Sequence, residues 1–463
     1  MSNSTLTVTS PFNQAVVGSL DTMSGNMVSE KLAQAHALYS DRSKWLPVHE
    51  RVGILERAAR LMVKHHAHLA VQISKEGGKP LKDALVETTR AIDGVRLAAE
   101  SIRTDAGYVI PMNGTAAGAG KAAMTQKEPI GVVVAVSAFN HPLNLIVHQV
   151  ACAVAAGCPV LVKPADDTPL SCQSFVALLH EAGLPEHWCQ YVIPEDLSVA
   201  EALVTDSRVA FFSFIGSARV GWSLRSKLAP GTRCSLEHGG VAPVILNDAT
   251  SLNSAVEAVT KGGFYHAGQV CVSVQRVYVH KDISAQFLSL FKAAVNSLKV
   301  GDPLLMETDV GPVIRASEVT RIDHWVKEAI SLGAECVCGG HPTEQQCYAP
   351  TVLLNPSAEA LVSTQEIFGP VVCVYTYSEI DDAIQRANAL PYAFQAAVFT
   401  ASIDIAMHCY KNLDASAIMV NDHSAFRVDN MPFAGLKQSG LGVGGIHHTI
   451  NDMQIEKMLV LPF

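Results

Sequence analysis

Missing from this chain is any run of lysine and arginine that could line a nucleic-acid face. Its 34 basic residues stand against 43 acidic ones, a net charge of −9. A balance of that sign favours solubility and works against polyanionic partners. Charged residues are also few, 17% against 49% hydrophobic, which excludes a disordered chain. No disulfide framework is legible: the 11 cysteines are odd in number and irregularly spaced, as fits reduced thiols in a cytosol. The opening "MSNSTLTVTSPFNQ" has neither the basic start nor the apolar core of a secretory signal. A clean lipid-spanning run is lacking too. The one suspect, "LNLIVHQVACAVAAGCPVLV" (143–162), carries Asn144, His148 and Gln149 and breaks at Gly157-Cys158-Pro159. It reads as a buried helix followed by a short strand. Internal repeats and low-complexity tracts are also lacking. The expectation is a cytoplasmic, soluble protein with neither a membrane nor a nucleic-acid partner.

What the chain does have is length and alternation. At 463 residues, two or three domains are expected. Residues 30–105 are charged and helical in period, with "HERVGILERAARLMVKHHAHLAVQIS" (49–74) reading as helix. Residues 108–129 turn glycine- and alanine-rich, like an arm lying outside a core. From 130 short apolar runs such as "IGVVVAVS", "PVLVKP", "CQYVIP", "VAFFSF" and "RCSLEHGG" alternate with amphipathic helices. That pattern predicts an α/β fold with a parallel sheet covered on both faces. A second strand–helix series fills about 250 to 435, and "MQIEKMLVLPF" reads as a terminal strand.

Sheets of this kind bind ligands beyond the carboxyl ends of their strands, so polar residues at strand ends carry the search for chemistry. Asn140 stands where one strand stops and Pro142 opens a helix. Lys163 and Asp166 follow the next strand. In "FIGSARVG" (214–221), Ser217 is placed as the N-cap of a helix whose free N–H groups, beside Gly216, can accept phosphate oxygens. Glu237 ends a further strand before two glycines. Each taken singly has an ordinary reading, as a capped helix or a solvated charge. Cys271, in "GGFYHAGQVCVSVQR" (262–276), sits where a glycine-broken helix end meets an alternating stretch that reads as a strand. A cysteine is most often a small apolar filler. A thiol, a carboxylate base, an amide donor and a phosphate-accepting helix start nevertheless form one consistent catalytic set.

The segments "EPIGVVVAVSAFNHP", "VLVKPADDTPLS", "FIGSARVG", "LEHGG", "GQVC", "EIFGPVV" and "MPFAGLKQSGLG" resemble, in order and spacing, the aldehyde dehydrogenase superfamily. The likeness covers nearly the whole chain and extends to a branch grouped with lactaldehyde-type enzymes. It implies a Rossmann-like NAD(P)-binding domain (1–107 and 130–237), a catalytic domain (238–436), and a β oligomerisation arm (108–129 and 450–463). It also implies a homodimer or homotetramer. By resemblance Cys271 is the nucleophile, Glu237 the base that hydrolyses the thioester, and Asn140 an oxyanion donor. Lys163 and Asp166 match the adenosine-ribose positions, Gly216 and Ser217 the pyrophosphate site, Glu366 the nicotinamide ribose contact, and Phe368 the ring beside it. No metal is implied. Asp166 stands where NAD-preferring members often carry Glu. Its charge should repel a 2′-phosphate, so NAD is expected, with NADP as the alternative.

Departures from the family pattern are local. Ile215 removes a threonine hydroxyl before Gly216, His238 stands beside the base in place of leucine, and Ala434 replaces a glycine. His141, His238 and Arg427 are candidates to meet substrate, with packing the ordinary role for the histidines. "GLGVGG" (440–445) satisfies a dinucleotide fingerprint formally, but without the strand–helix–strand context it reads as a flexible connection. "HHAH" (65–68) reads as a solvated helical face, Arg276 as structural, and the other cysteines as packing residues. The expected reaction is NAD(P)-dependent oxidation of a small aldehyde to its acid. A dehydrogenase for a semialdehyde, lactaldehyde-like or phosphorylated substrate is the narrower alternative, requiring basic side chains that converge on the substrate. A thiol hydrolase using Cys271 and His266, and a non-catalytic protein retaining the fold, are the readings from other classes.

Overall fold

The computed structural model describes residues 4–250 and 252–462. Two sheets organise it. In the first, the order is Gly440–Leu441, Arg233–Glu237, Val209–Ile215, Val132–Val136, Val160–Lys163, Cys189–Tyr191, and only the two-residue edge strand runs antiparallel. In the second, the order is Glu335–Cys338, Thr351–Leu354, Val371–Tyr377, Val274–His280, Ala242–Leu246, Gln395–Phe399, Ala417–Val420, parallel except at Glu335–Cys338. Both sheets owe their parallel form to strands buried on two faces. "VVVAV" of Val132–Val136 is β-branched and almost wholly buried, with no polar face to turn toward water.

The apolar stretch from 143 becomes the helix Asn144–Ala156, in which every residue but Leu145 is buried. Its polar side chains each find a partner inside the protein, although Asn144 Oδ1, His148 Nδ1 and Gln149 Oε1 stay unpartnered among the described residues. Gln149 donates to the carbonyls of Val136 (3.2 Å) and Ser213 (3.1 Å), and His148 meets Asp429 at 2.7 Å. At its start, the backbone N–H groups of Leu143 and Asn144 donate to Glu87 Oε1 at 3.0 and 3.1 Å, and Gly157 ends it in the left-handed region. Each buried valine or isoleucine there contributes about 1.5–3 kcal/mol. Among the described residues no helix is long and apolar enough to cross a membrane.

Residues 108–129 and the terminal strand build a third sheet. Val109–Ile110 and Gln454–Pro462 pair antiparallel with Lys121–Pro129 on either side. It stands off the core, and Val109, Met124 and the run Met458 to Leu461 are exposed.

The structure departs from the sequence reading at three places. Helix 49–74 is two helices, Val48–Lys64 and His66–Gly77, because His65 leaves the helical region (φ −101°, ψ 12°), so "HHAH" straddles a break. The strand after Cys271 begins only at Val274, since Ser273 N–H turns back to Val270 O (2.9 Å). The glycine-rich stretch 440–445 is no flexible connection. Gly440 and Leu441 pair with Glu237 and Leu236, and Gly444 exchanges two backbone hydrogen bonds with Phe433, at 3.0 and 2.7 Å. Helix Ile446–Asp452 then returns to the core beneath the first sheet, burying Ile446 and Ile450.

Candidate active site

A cavity of about 600 Å³ opens at the carboxyl ends of the first sheet's strands. Its wall takes Asn140 and His141 from beyond Val132–Val136, Gly216 and Ser217 from beyond Val209–Ile215, and Glu237 from the end of its own strand. From the second sheet's side come Cys271, Glu366 and Phe368. Seven of the nine residues expected to act are therefore brought together. Lys163 and Asp166 are not in the wall, although Ala165 between them is. They pair with each other instead, Lys163 Nζ to Asp166 Oδ1 at 2.5 Å.

Local sequence explains how the thiol is held. Gly268 (φ 70°) lets the chain turn, and Gln269 locks the turn from inside. Gln269 Oε1 accepts from Ile314 N–H (3.0 Å), and its amide donates to His266 O (3.2 Å). Gln269 O accepts from Asn140 Nδ2 at 2.9 Å, tying the amide of one sheet to the loop of the other. Gly240 N–H donates to Cys271 O at 3.1 Å. Burial pushes the Cys271 thiol up to about 12; the Arg427 guanidinium opposes this, while Glu366 and Glu237 add to it. A thiol so placed is a weak nucleophile until something stabilises its anion.

Glu237 faces the cavity with its carboxyl raised by burial and partly restored by Arg427. A carboxyl raised in this way is a stronger base than an exposed one. Glu366 is pushed up to about 8, chiefly by burial, against the pull of Arg321, and its Oε1 has no hydrogen-bond partner among the described residues. It lies across Gly239, where a β-carbon would sit 1.6 Å from Oε1, so any other residue there would push the Glu366 carboxyl out of this position. Phe368 holds φ at 48°, a costly conformation for a bulky residue, and its ring meets Phe139 edge-on at 5.7 Å.

Sequence reasoning found Arg427 but missed its neighbours. Arg427 lies over the Phe433 ring at 3.6 Å, with Nε unpartnered among the described residues. Arg90 and Lys261 also line the cavity. Arg90 makes a two-pronged bond to Asp429 (3.0 and 2.8 Å), which also holds His148 (2.7 Å) and Asn144 (3.1 Å). Burial works against charge on Asp429, but the His148 hydrogen bond and Arg90 together hold its carboxyl well below the usual range. The only signal for this cluster was the charge in "FRVDN", since Arg90 and Asp429 lie 339 residues apart.

The remaining candidates sort by contact. His238 Nδ1–H donates to Gly216 O (2.9 Å), and its ring packs against Phe214 and Trp222. His141 is buried beside Tyr265 and His266, and burial with nearby Lys79 and Arg90 drives its pKa well down. His266 does not line the cavity. Arg276 is spent on backbone carbonyls of Val241, Arg386 and Ala387. No group of three or more His, Cys, Asp or Glu among the described residues could hold a metal ion.

Comparison with known proteins identifies the family. A 3-sulfolactaldehyde dehydrogenase of Priestia aryabhattai is 37% identical over 413 residues, 89% of this chain and 86% of that one. An aldehyde dehydrogenase from Physcomitrella patens, solved with the reaction product succinate, superposes with a TM-score of 0.96 at 33% identity, covering 100% of this chain and 95% of that one. A glyceraldehyde-3-phosphate dehydrogenase from Methanocaldococcus jannaschii, complexed with NADP, gives 0.94 at 32% identity and 99% of both chains. Residues 1–459 match the aldehyde dehydrogenase family, and the chain belongs to that family.

Proposed function

We propose that this NAD(P)-dependent aldehyde dehydrogenase oxidises a small aldehyde carrying a negative group, through a thioester on Cys271 that Glu237 helps to hydrolyse. The observation that carries this reading is the convergence of thiol, carboxyl and amide in one cavity with the buried, incompletely bonded Arg427. Lys261, which also lines the cavity, joins Arg427 as the second basic side chain that the narrower substrate class requires, while Arg90 is held by Asp429. The relatives named above act on a sulfonated or phosphorylated aldehyde or hold a dicarboxylate product, in keeping with such a site.

The chain's residues fit a dinucleotide. Ser217 precedes the helix Ala218–Arg225 without capping it by its side chain, so the first N–H groups stay free for a pyrophosphate. The unpartnered Glu366 Oε1 suits a ribose hydroxyl. Lys163 and Asp166 would hold the adenosine end, and Asp166 favours NAD over NADP by repelling a 2′-phosphate. When bound, the nicotinamide supplies the hydride acceptor.

The rest falls to the protein. The Cys271 thiol gives its proton to solvent water, helped by the Arg427 charge, and its sulfur bonds to the aldehyde carbon. The carbonyl electron pair moves to oxygen, where Asn140 Nδ2–H and the Cys271 N–H receive it. One such donor lowers a barrier by about 2.7–4 kcal/mol. After hydride loss the carbon is a thioester. Glu237 takes a proton from water, the hydroxide adds to the carbonyl, and the C–S bond breaks to release the acid and the thiolate. The domain division at 107/130, 237/238 and 436, and an arm at 108–129 and 450–463 joining a homodimer or homotetramer, complete the reading.

The test is turnover with NAD and NADP across succinate semialdehyde, lactaldehyde, glyceraldehyde 3-phosphate, propanal and benzaldehyde, followed by reduced-nicotinamide absorbance. Anionic substrates should lead in kcat/KM. Arg427→Gln should cost them about 10–150-fold more than it costs propanal, the worth of a charged hydrogen bond, since propanal loses only the help to the thiol. Equal loss on propanal would reject the anion site, and no reduction with any aldehyde would reject catalysis altogether.

A further inference from the structure

The glycine-rich stretch 440–445 is pressed against Glu237. A β-carbon at Gly444 would lie 2.1 Å from Glu237 Oε1 and 2.9 Å from its carboxyl carbon. Real β-carbons essentially never approach so closely, so only glycine admits the carboxyl in this position. Gly444 is itself fixed. Its N–H and C=O both bond to Phe433, while Gly440 and Leu441 extend the strand that ends in Glu237. Ser439 O accepts from His238 N–H at 3.0 Å, closing the same clasp on the residue after the base. The Glu237 carboxyl has no side-chain hydrogen bond to set its direction among the described residues, which leaves the Gly444 wall and the charge of Arg427 to set it.

We propose that Gly444 is a positioning residue: its bare α-carbon seats the Glu237 carboxyl for the water-activating step. This rests on the reading of Glu237 as base. The seat acts only after hydride has left. Glu237 then removes a proton from water as the oxygen bonds to the thioester carbon and the C–S pair returns to sulfur. Formation of the thioester does not require it. The same Phe433 that grips Gly444 carries the Arg427 guanidinium on its ring, so the substrate's anionic end and the base share one clasp.

The experiment is single-turnover against steady-state kinetics of Gly444→Ala with succinate semialdehyde and NAD, with Glu237→Gln beside it. Backbone strain does not forbid alanine, since Gly444 is not among the positive-φ residues. In Gly444→Ala the first equivalent of reduced cofactor should form at the wild-type rate while later turnovers slow about tenfold or more. Hydroxylamine, which cleaves a thioester without a base, should restore the lost turnover. Equal slowing of both phases, no slowing, or no response to hydroxylamine would overturn the seat. If Glu237→Gln slows later turnovers and Gly444→Ala does not, the seat fails alone. If Glu237→Gln turns over at full rate, the base reading fails and the seat with it. Should Gly444→Ala not fold, the pair Gly444→Ala/Glu237→Asp, with its shorter carboxylate, should fold; failure of that pair too would overturn the contact as the cause.

Discussion

Two clusters of buried charge lie within one part of this molecule and follow opposite rules. Both Asp429 oxygens are engaged, with two bonds from Arg90 and one each from His148 and Asn144, although Asn144 Oδ1 and His148 Nδ1 have no partner among the described residues. Nearby, Lys79 and Glu87 are both fully buried and pair directly, with Glu87 also accepting from Leu143 and Asn144. Around Cys271 the bonding is incomplete. Glu366 Oε1, Arg427 Nε and His238 Nε2 have no partners among the described residues, and both carboxyls are raised. Unpartnered buried polar groups are costly and persist where a ligand or a reaction completes them. The difference lies in the charged groups: Asp429, Arg90, Lys79 and Glu87 are paired in the walls, whereas Glu366 and Arg427 face the cavity without an ion pair.

Three experiments press on that contrast. The largest effect belongs to the open cluster. Cys271→Ala should lower acid production by at least about a thousandfold while leaving the thermal midpoint near wild type. A large fall in the midpoint would mean that the thiol is scaffold after all. Next, Asp429→Asn should open the closed cluster and cost about 3 kcal/mol in urea unfolding, since it strands Arg90 beside the cavity. Because the Asp429 carboxyl is depressed, its contribution is present above the unfolded value near 3.9 and lost as pH falls further. The gap between wild type and variant should therefore narrow in acid, and a gap independent of pH would contradict the ion pairing. The smallest effect is graded. With the free thiol pushed up to about 12 by burial, iodoacetamide labelling of Cys271 without cofactor should climb about tenfold per pH unit from 7 to 10. A plateau near pH 8, read by mass spectrometry, would show a thiol ionised by its surroundings instead.

Much of this was legible in the letters, and unevenly so. Alternating apolar runs marked the parallel strands because strands buried on both faces have no polar side to show. Asn140, Glu237 and Cys271 sit at strand ends or turns inside distinctive motifs, and the fold brings them to one cavity. Less visible was anything made by long-range pairing. Arg90 and Asp429 are ordinary charges in their own segments and acquire a role only when helix Leu81–Arg103 meets the stretch after residue 423. Gln269 looked like part of a motif rather than the staple it is. The glycines at 440–445 looked loose because glycine signals both freedom and tight contact, and only the neighbour decides which. His65 broke a helix whose periodicity continued undisturbed across the break.

The bond from Asn140 to Gln269 O carries a last consequence. A carbonyl oxygen can only accept, so it selects which end of the asparagine amide it will tolerate and fixes the group's flip. One hydrogen of Nδ2 is consumed in that choice and the other is left to spare. Aspartate at 140, though the same shape, would present oxygen to oxygen at Gln269 and would also bring a negative charge to meet a developing anion. A single main-chain atom in the loop before the second sheet thus dictates which end of the proposed oxyanion donor can face the cavity.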